Sequence, residues 1–257
     1  MMRWWLAVAA CLCAVASAQE KPNNLELFLL IGQSNMAGRG AVEAQDKEIL
    51  PGVFMLNKEM AWVPAVDPLH FDKPDIAGVG LGRTFAKTLL RVRPGVAIGL
   101  IPAAFGGTSL DEWKPGDKLY NDAVKRAREA MKAGRLRGIL WHQGEADSGS
   151  AEKIASYRER FANLVSHLRQ DLQAPDVPVV VGELGEYRTA ALNRQMNEQL
   201  ALVPFSVPHS GFVSSAGLMH KGDGTHFDSP SAREFGRRYA LAFLALDATW
   251  ASPESRH

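Results

Sequence analysis

Short apolar runs alternate along this chain with amphipathic stretches long enough for helices, and that alternation leaves few folds open to it. The runs are Leu25–Ile31, Val96–Ile101, Arg137–His142, Val177–Gly182 and, more weakly patterned, Gly211–Ser214. The helix-length stretches are Gly82–Val92, Asp117–Ala133, Ala151–Leu172, Arg188–Leu202 and Ala232–Ala245. Strands that alternate with helices in this way are joined as parallel neighbours by crossover connections. The runs are almost continuously apolar, which suits strands covered by helices on both faces. Within Ala151–Leu172, Ile154, Tyr157, Phe161, Leu164, Val165 and Leu168 recur at spacings of three and four, the stripe of a helix packed on a sheet. The expected architecture is therefore α/β: a three-layer α/β/α sandwich around a mostly parallel, five-stranded sheet.

At 257 residues and 46% hydrophobic composition, the chain can bury a sizeable core. No repeat, low-complexity tract or flexible linker divides it, so residues 19–257 read as one domain. Residues 1–18 have a different grammar: Arg3, an apolar run from Trp4 to Val15, and the small-residue site Ala16-Ser17-Ala18. That is the pattern of a secretory signal peptide cut after Ala18, which predicts a secreted or periplasmic protein. The apolar run before Cys11 is short for a lipoprotein signal, and the whole run falls below the ~20 apolar residues of a membrane span. Both cysteines, Cys11 and Cys13, lie in this segment, so the processed chain has no disulfide and no thiolate nucleophile. Loss of Arg3 takes a formal charge of +1 to about zero. Such a balance points to neither nucleic acid nor a membrane surface as partner.

In open parallel sheets, ligands bind outside the carboxyl ends of the strands. Long loops emerge there, over residues 41–80, 102–116 and 215–230. Directly after the first strand stands Ser34, in "GQSNMAG". It reads either as a turn or capping serine or as a nucleophile, and the second reading requires a base and an orienting acid. Asp223 and His226, in "DGTHFD", are close enough for the carboxylate to receive the imidazole Nδ1 proton, leaving Nε2 to face a hydroxyl. An acyl-transfer site also needs donors aimed at a developing oxyanion. Gly106 and Gly107 follow the second strand, as a tight turn or as backbone donors. Gln143 follows the third, as a loop brace or as an amide donor.

Taken together, "GQSNMAGRG", "GGTSLDEW", "WHQGEAD" and "DGTHFD" resemble the SGNH (GDSL-like) hydrolase superfamily. More closely, they resemble its branch of sialate O-acetylesterase-like and carbohydrate esterase family six acetylesterases. The resemblance runs from about Leu25 to Leu244. It implies a flavodoxin-like SGNH fold and a serine carboxylic-ester hydrolase with Ser34 as nucleophile, His226 as base and Asp223 as its orienter. It also implies an oxyanion hole of the Ser34 and Gly107 backbone N–H groups with the Gln143 side chain, Gly106 being the other candidate for the backbone donor. Glu145 would brace the Gln143 loop. The implied substrate is an acetylated carbohydrate, such as acetylated xylan or an O-acetyl sialic acid, with no metal and no other cofactor.

Trp113 and Trp141 flank these motifs and could stack on a sugar ring, although packing is the commoner fate of a tryptophan. His70, in the 41–80 loop, reads as a structural hydrogen-bonder in preference to a second base. Two other function classes fit parts of the pattern. His220, Asp223 and His226, with His142 and Glu145 nearby, could ligate a metal in a metal-dependent hydrolase. Alternatively, the chain could be a catalytically silent carbohydrate-binding protein on the same fold.

Overall fold

A computed structural model describes residues 23–248; the signal-peptide segment lies outside the described residues. The strands are β1 (Leu25–Gly32), β2 (Val53–Leu56), β3 (Trp62–Pro64), β4 (Ile98–Pro102), β5 (Gly134–His142), β6 (Val179–Gly182) and β7 (Ser210–Val213). The helices are α1 (Ser34–Ala37), α2 (Ala44–Lys47), α3 (Gly82–Val92), α4 (Lys118–Ala130), α5 (Ala151–Ala155), α6 (Tyr157–Asp171), α7 (Ala191–Ala201) and α8 (Ser229–Leu246).

The strands form one sheet in the order β3-β2-β4-β1-β5-β6-β7, parallel throughout except for the antiparallel β2–β3 pair. Strand β1 lies at the centre, and its side chains divide by parity. Leu25, Leu27, Leu29 and Ile31 enter a core built with α4, α6 and α7, whereas Phe28 and Leu30 enter a second core built with α3 and α8. This is the period of two expected for a strand buried on both faces. Phe28 meets the edges of Phe85 and Phe243 at 4.9 and 5.1 Å. Truncating such a ring to alanine costs about 3–5 kcal/mol.

The α/β class agrees with the sequence expectation, but the sheet has seven strands and not five. The two additional strands come from the 41–80 segment. Each is too short to show a period, and their turn is made by side-chain chemistry: Ala61 N donates to Asn57 Oδ1 at 2.8 Å, and Met60 takes φ 61°. The expected helix Ala151–Leu172 is two helices, broken at Ser156, which ends one and starts the other. Helix α8 begins three residues earlier than its apolar pattern, because Asp228 caps it through Ser231 N and Pro230 sits in its first turn.

One glycine sets the site's floor. Gly32, at φ +128°, ends β1 so close to β5 that an added Cβ would lie 2.1 Å from the His142 carbonyl oxygen. Gln33 N then donates to that carbonyl at 2.9 Å, and the chain turns into α1 with Ser34 as its first residue.

Candidate active site

Ser34 Oγ lies 3.0 Å from His226 Nε2, and His226 Nδ1 lies 2.7 Å from Asp223 Oδ2. Residues 192 positions apart thus form one hydrogen-bonded chain from hydroxyl to imidazole to carboxylate. With the proton on Nδ1, the imidazole donates to Asp223 and accepts from Ser34. The other Asp223 oxygen accepts from the backbone N–H groups of Thr225 and His226 at 2.9 and 2.8 Å. Partial burial would raise the Asp223 carboxyl, but these backbone donors and the His226 ring hold it far below the usual carboxylate range. The carboxylate is therefore ionised at any pH at which the imidazole can act as a base.

The glycine pair is divided by Asp72. Its Oδ2 accepts from Gly106 N at 2.8 Å and from Arg39 Nη2 at 2.6 Å, and the side chains of this ion pair are each 1% exposed. A Cβ on Gly106 would lie 2.5 Å from Arg39 Nη2 and 3.3 Å from Ser34 Cβ, so this backbone passes directly beside Ser34. Gly107, at φ +86°, is exposed and its N–H meets no acceptor among the described residues. The Ser34 N–H, at the start of α1, is likewise without an acceptor there. Of the two glycines, Gly107 is the one with a free N–H.

Gln143 does not point into the cleft. It is 0% exposed, and its amide nitrogen donates to Asp147 Oδ2 at 2.6 Å, the Thr108 carbonyl at 3.1 Å and Gln33 Oε1 at 3.3 Å. Its amide oxygen accepts from the Tyr157 hydroxyl at 2.8 Å. Both amide hydrogens are engaged by buried acceptors, so the expected oxyanion contact is replaced by a bracing role. Glu145 also differs from expectation: its side chain braces Asn35 and His142, not the Gln143 loop. Its Oε1 accepts from Asn35 Nδ2 at 2.6 Å and lies 3.4 Å from His142 Nε2. Burial works to raise the Glu145 carboxyl, and the neighbouring His142 ring and the hydrogen bond from Asn35 outweigh it, holding the group below its ordinary range, although His142 Nε2 itself makes no hydrogen bond.

Trp113 is 1% exposed, donates to Thr108 Oγ1 at 3.1 Å and packs edge-on to Trp141 at 5.5 Å, so it cannot stack on a sugar. Trp141 is buried in the same core and donates to Tyr157 OH. His70 is buried but is not the hydrogen-bonder expected, since neither ring nitrogen has a hydrogen-bond partner among the described residues; desolvation pushes its imidazole down to about 4 despite the nearby Asp72, which leaves it neutral. The metal-ligand reading lacks a geometry: His220 Nδ1 accepts from the Gly222 and Gly224 N–H groups, and no cluster of three His, Cys, Asp or Glu that could hold a metal forms among the described residues.

Sequence reasoning missed three contributors. Asn35 tethers the histidine loop, donating to the Thr225 carbonyl and accepting from Phe227 N, each at 3.1 Å. Arg39 and Asp72 set the Gly106 turn. Only their proximity to "GQSN" and the length of the 41–80 segment hinted at them. Beside that turn lies a cavity of about 810 Å³. It shares Asp72, Phe105 and Thr108 with the turn and is floored by Phe71, Ala103 and Ala104. Phe105 stands 40% exposed at its edge.

The fold recurs in known proteins. A relative from Arabidopsis thaliana, described as a probable carbohydrate esterase, is 33% identical over 243 residues, 86% of this chain and 90% of the relative. The solved structure of an Arabidopsis thaliana protein superposes with a TM-score of 0.79 at 30% identity, over 87% of this chain and 99% of that one. The crystal structure of NanS superposes at 0.71 over 88% of this chain and 98% of that one; at 18% identity it shows the fold alone. A family model described as carbohydrate esterase, sialic acid-specific acetylesterase, matches residues 24–245. With nearly all the described residues inside that match, the chain belongs to this carbohydrate esterase family, as the strand-end motifs anticipate.

Proposed function

We propose that the protein is an exported carbohydrate O-acetylesterase that works through an acetyl-enzyme on Ser34. As Ser34 Oγ attacks the acetyl carbonyl, its proton passes to His226 Nε2, and ionised Asp223 stabilises the imidazolium. The Ser34 and Gly107 N–H groups receive the oxyanion of the tetrahedral intermediate. Collapse breaks the bond to the sugar oxygen, which leaves with the proton from His226. Water then attacks the acetyl-enzyme, giving its proton to Nε2. When the second intermediate collapses, acetate departs and Ser34 recovers the proton.

The observation that carries this reading is the continuous Ser34–His226–Asp223 hydrogen-bond chain at the carboxyl ends of the strands. The cavity of about 810 Å³ beside Phe105 is lined by none of Ser34, Gly107, Asp223 and His226, so the carbohydrate portion of the substrate rests on the family alone. Acetylated xylan fragments and O-acetyl sialic acids are the substrates to try first, and residues 1–18 are the export signal. Acetate release from such a panel, together with labelling by a serine-directed phosphonate, tests the proposal. The expected result is acetate release by the untreated enzyme and its loss once the phosphonate has modified Ser34. A folded protein that binds acetylated glycans without hydrolysing any of them would overturn it.

A further inference from the structure

The imidazole of this site is carried by a segment with little structure of its own. Residues 221–224 are exposed, and Gly222 and Gly224 adopt φ +111° and +68° with open space around them. Internal bonds give the loop its shape: Lys221 N donates to the His226 carbonyl, and His220 and Asp223 accept backbone N–H groups. None of these bonds sets the distance from His226 to Ser34.

Asn35, the residue after the nucleophile, does. Its amide nitrogen donates to the Thr225 carbonyl and its amide oxygen accepts from Phe227 N, both at 3.1 Å, so one side chain grips the backbone on each side of His226. Tyr187 and Arg188 also reach Thr225, but they approach from the connection after β6, while Asn35 comes from the nucleophile's own helix. The grip works in only one orientation of the amide, because a flipped amide would set like against like at both contacts. Glu145 selects that orientation by accepting the second Asn35 Nδ2 hydrogen at 2.6 Å in a buried setting.

We propose that Asn35 is a positioning residue that holds His226 at hydrogen-bonding distance from Ser34, and that Glu145 acts through it by locking the orientation of its amide. This rests on the esterase reading above. It assigns the asparagine of "GQSN" a role separate from that of the adjoining serine, and it makes Glu145 part of the histidine's support although the two residues are not bonded to each other.

The test uses the full-length exported enzyme with Asn35→Ala, Asn35→Asp, Glu145→Gln and the double variant Asn35→Asp/Glu145→Gln, with Ser34→Ala alongside. Rates are taken well below each melting temperature and corrected for folded fraction. A misplacement of about 1 Å costs on the order of 100-fold in rate, so Asn35→Ala is expected to lose 10- to 100-fold in kcat with KM within about twofold of the parent. Asn35→Asp keeps the acceptor for Phe227 N but loses the donor to Thr225 and faces Glu145 with a second carboxylate. Glu145→Gln supplies a donor to the new carboxylate, so the double variant is expected to turn over faster than Asn35→Asp alone, a coupling that mere loss of stability does not produce. A kcat for Asn35→Ala within about threefold of the parent overturns the proposal. Should Asn35→Ala not fold, simply multiplying losses in the double variant overturn it equally. If instead Ser34→Ala keeps full activity, the esterase mechanism itself has failed, and the two failures are told apart.

Discussion

The two flanks of Ser34 are built on opposite plans. On the β5 flank, Asp147 is 0% exposed and collects Gln143 Nε2, Leu110 N and Arg160 Nη2 at 2.6, 2.8 and 3.0 Å. Tyr157 and Trp141 close the network from behind. On the other flank, a glycine loop at the surface carries Asp223 and His226 and is tied down at a few points. The difference teaches where reactive groups can be kept. A donor with buried acceptors on both hydrogens cannot serve a transient oxyanion without leaving those acceptors unpaired, which costs about 1–3 kcal/mol each. A half-exposed loop can accept and return a proton with little rearrangement. In the proposed mechanism the paired flank holds the cleft's shape, and the loop flank carries the proton transfer.

This contrast is broken most severely at the loop flank. Ser34→Ala and His226→Ala should each cut acetate release by roughly 1000-fold or more, and the double variant should add little, because triad members act as a unit. Losses that multiply in the double variant would show that the two residues work independently. Asp223→Asn follows, with a large fall in kcat from the wrong imidazole tautomer and a nearly unchanged melting temperature, since the pair lies at the surface.

Gln143→Ala should behave in the opposite way. It strips partners from Asp147, Tyr157 and the Thr108 carbonyl, so a stability loss of about 2–4 kcal/mol is expected, lowering Tm by roughly 5–15 °C. Turnover per folded molecule should stay within a few fold. A hundredfold fall in kcat at normal Tm would instead return this amide to the oxyanion hole.

The smallest effect concerns a buried carboxyl belonging to neither flank. Asp67 is 1% exposed, its Oδ1 has no hydrogen-bond partner, and burial, with help from Asp46, pushes its carboxyl up from 3.8 to about 7. The folded state therefore holds this proton more tightly than the unfolded chain. Its contribution to stability is complete below about pH 4, declines as pH rises, and is gone above about pH 7. Asp67→Asn has no such proton to lose. Its Tm relative to the parent should rise by a few degrees between pH 5 and pH 8; a constant difference across that range would mean that Asp67 titrates normally.

Strands β1, β4, β5, β6 and β7 were readable because continuous apolar runs between turn residues have few other fates in a chain of this composition. Ser34, Asp223 and His226, which the structure brings into one hydrogen-bonded chain, stood out in the sequence because each sits in a short motif at a strand end and the motifs together resemble one family. The direction of a side chain is not local. Gln143 turns inward because Asp147 and Tyr157, four and fourteen residues on, offer a buried acceptor and a buried donor, and no pattern around "WHQGEAD" encodes that choice. Trp113 is likewise drawn into the core by Thr108 and Trp141. The β2–β3 hairpin escaped notice because four- and three-residue strands are shorter than any usable period. Asn35 stood in plain view, but its partners lie 110, 190 and 192 residues away.

The central place of β1 in the sheet bears on how this enzyme responds to heat. Strand β1 is paired on both sides, to β4 and β5, whereas the segment carrying His226 is closed by a few short-range backbone bonds of its own and tied to the rest of the fold mainly through side chains. Sub-global openings release weakly anchored segments long before a central strand. Hydrogen exchange should accordingly be fast at residues 221–226 and slowest along Leu27–Ile31, with the nucleophile standing at the end of the last element to open and its base on one of the first. Warming the enzyme would then switch off hydrolysis while the sheet remains whole, and cooling would restore activity without any refolding of the core.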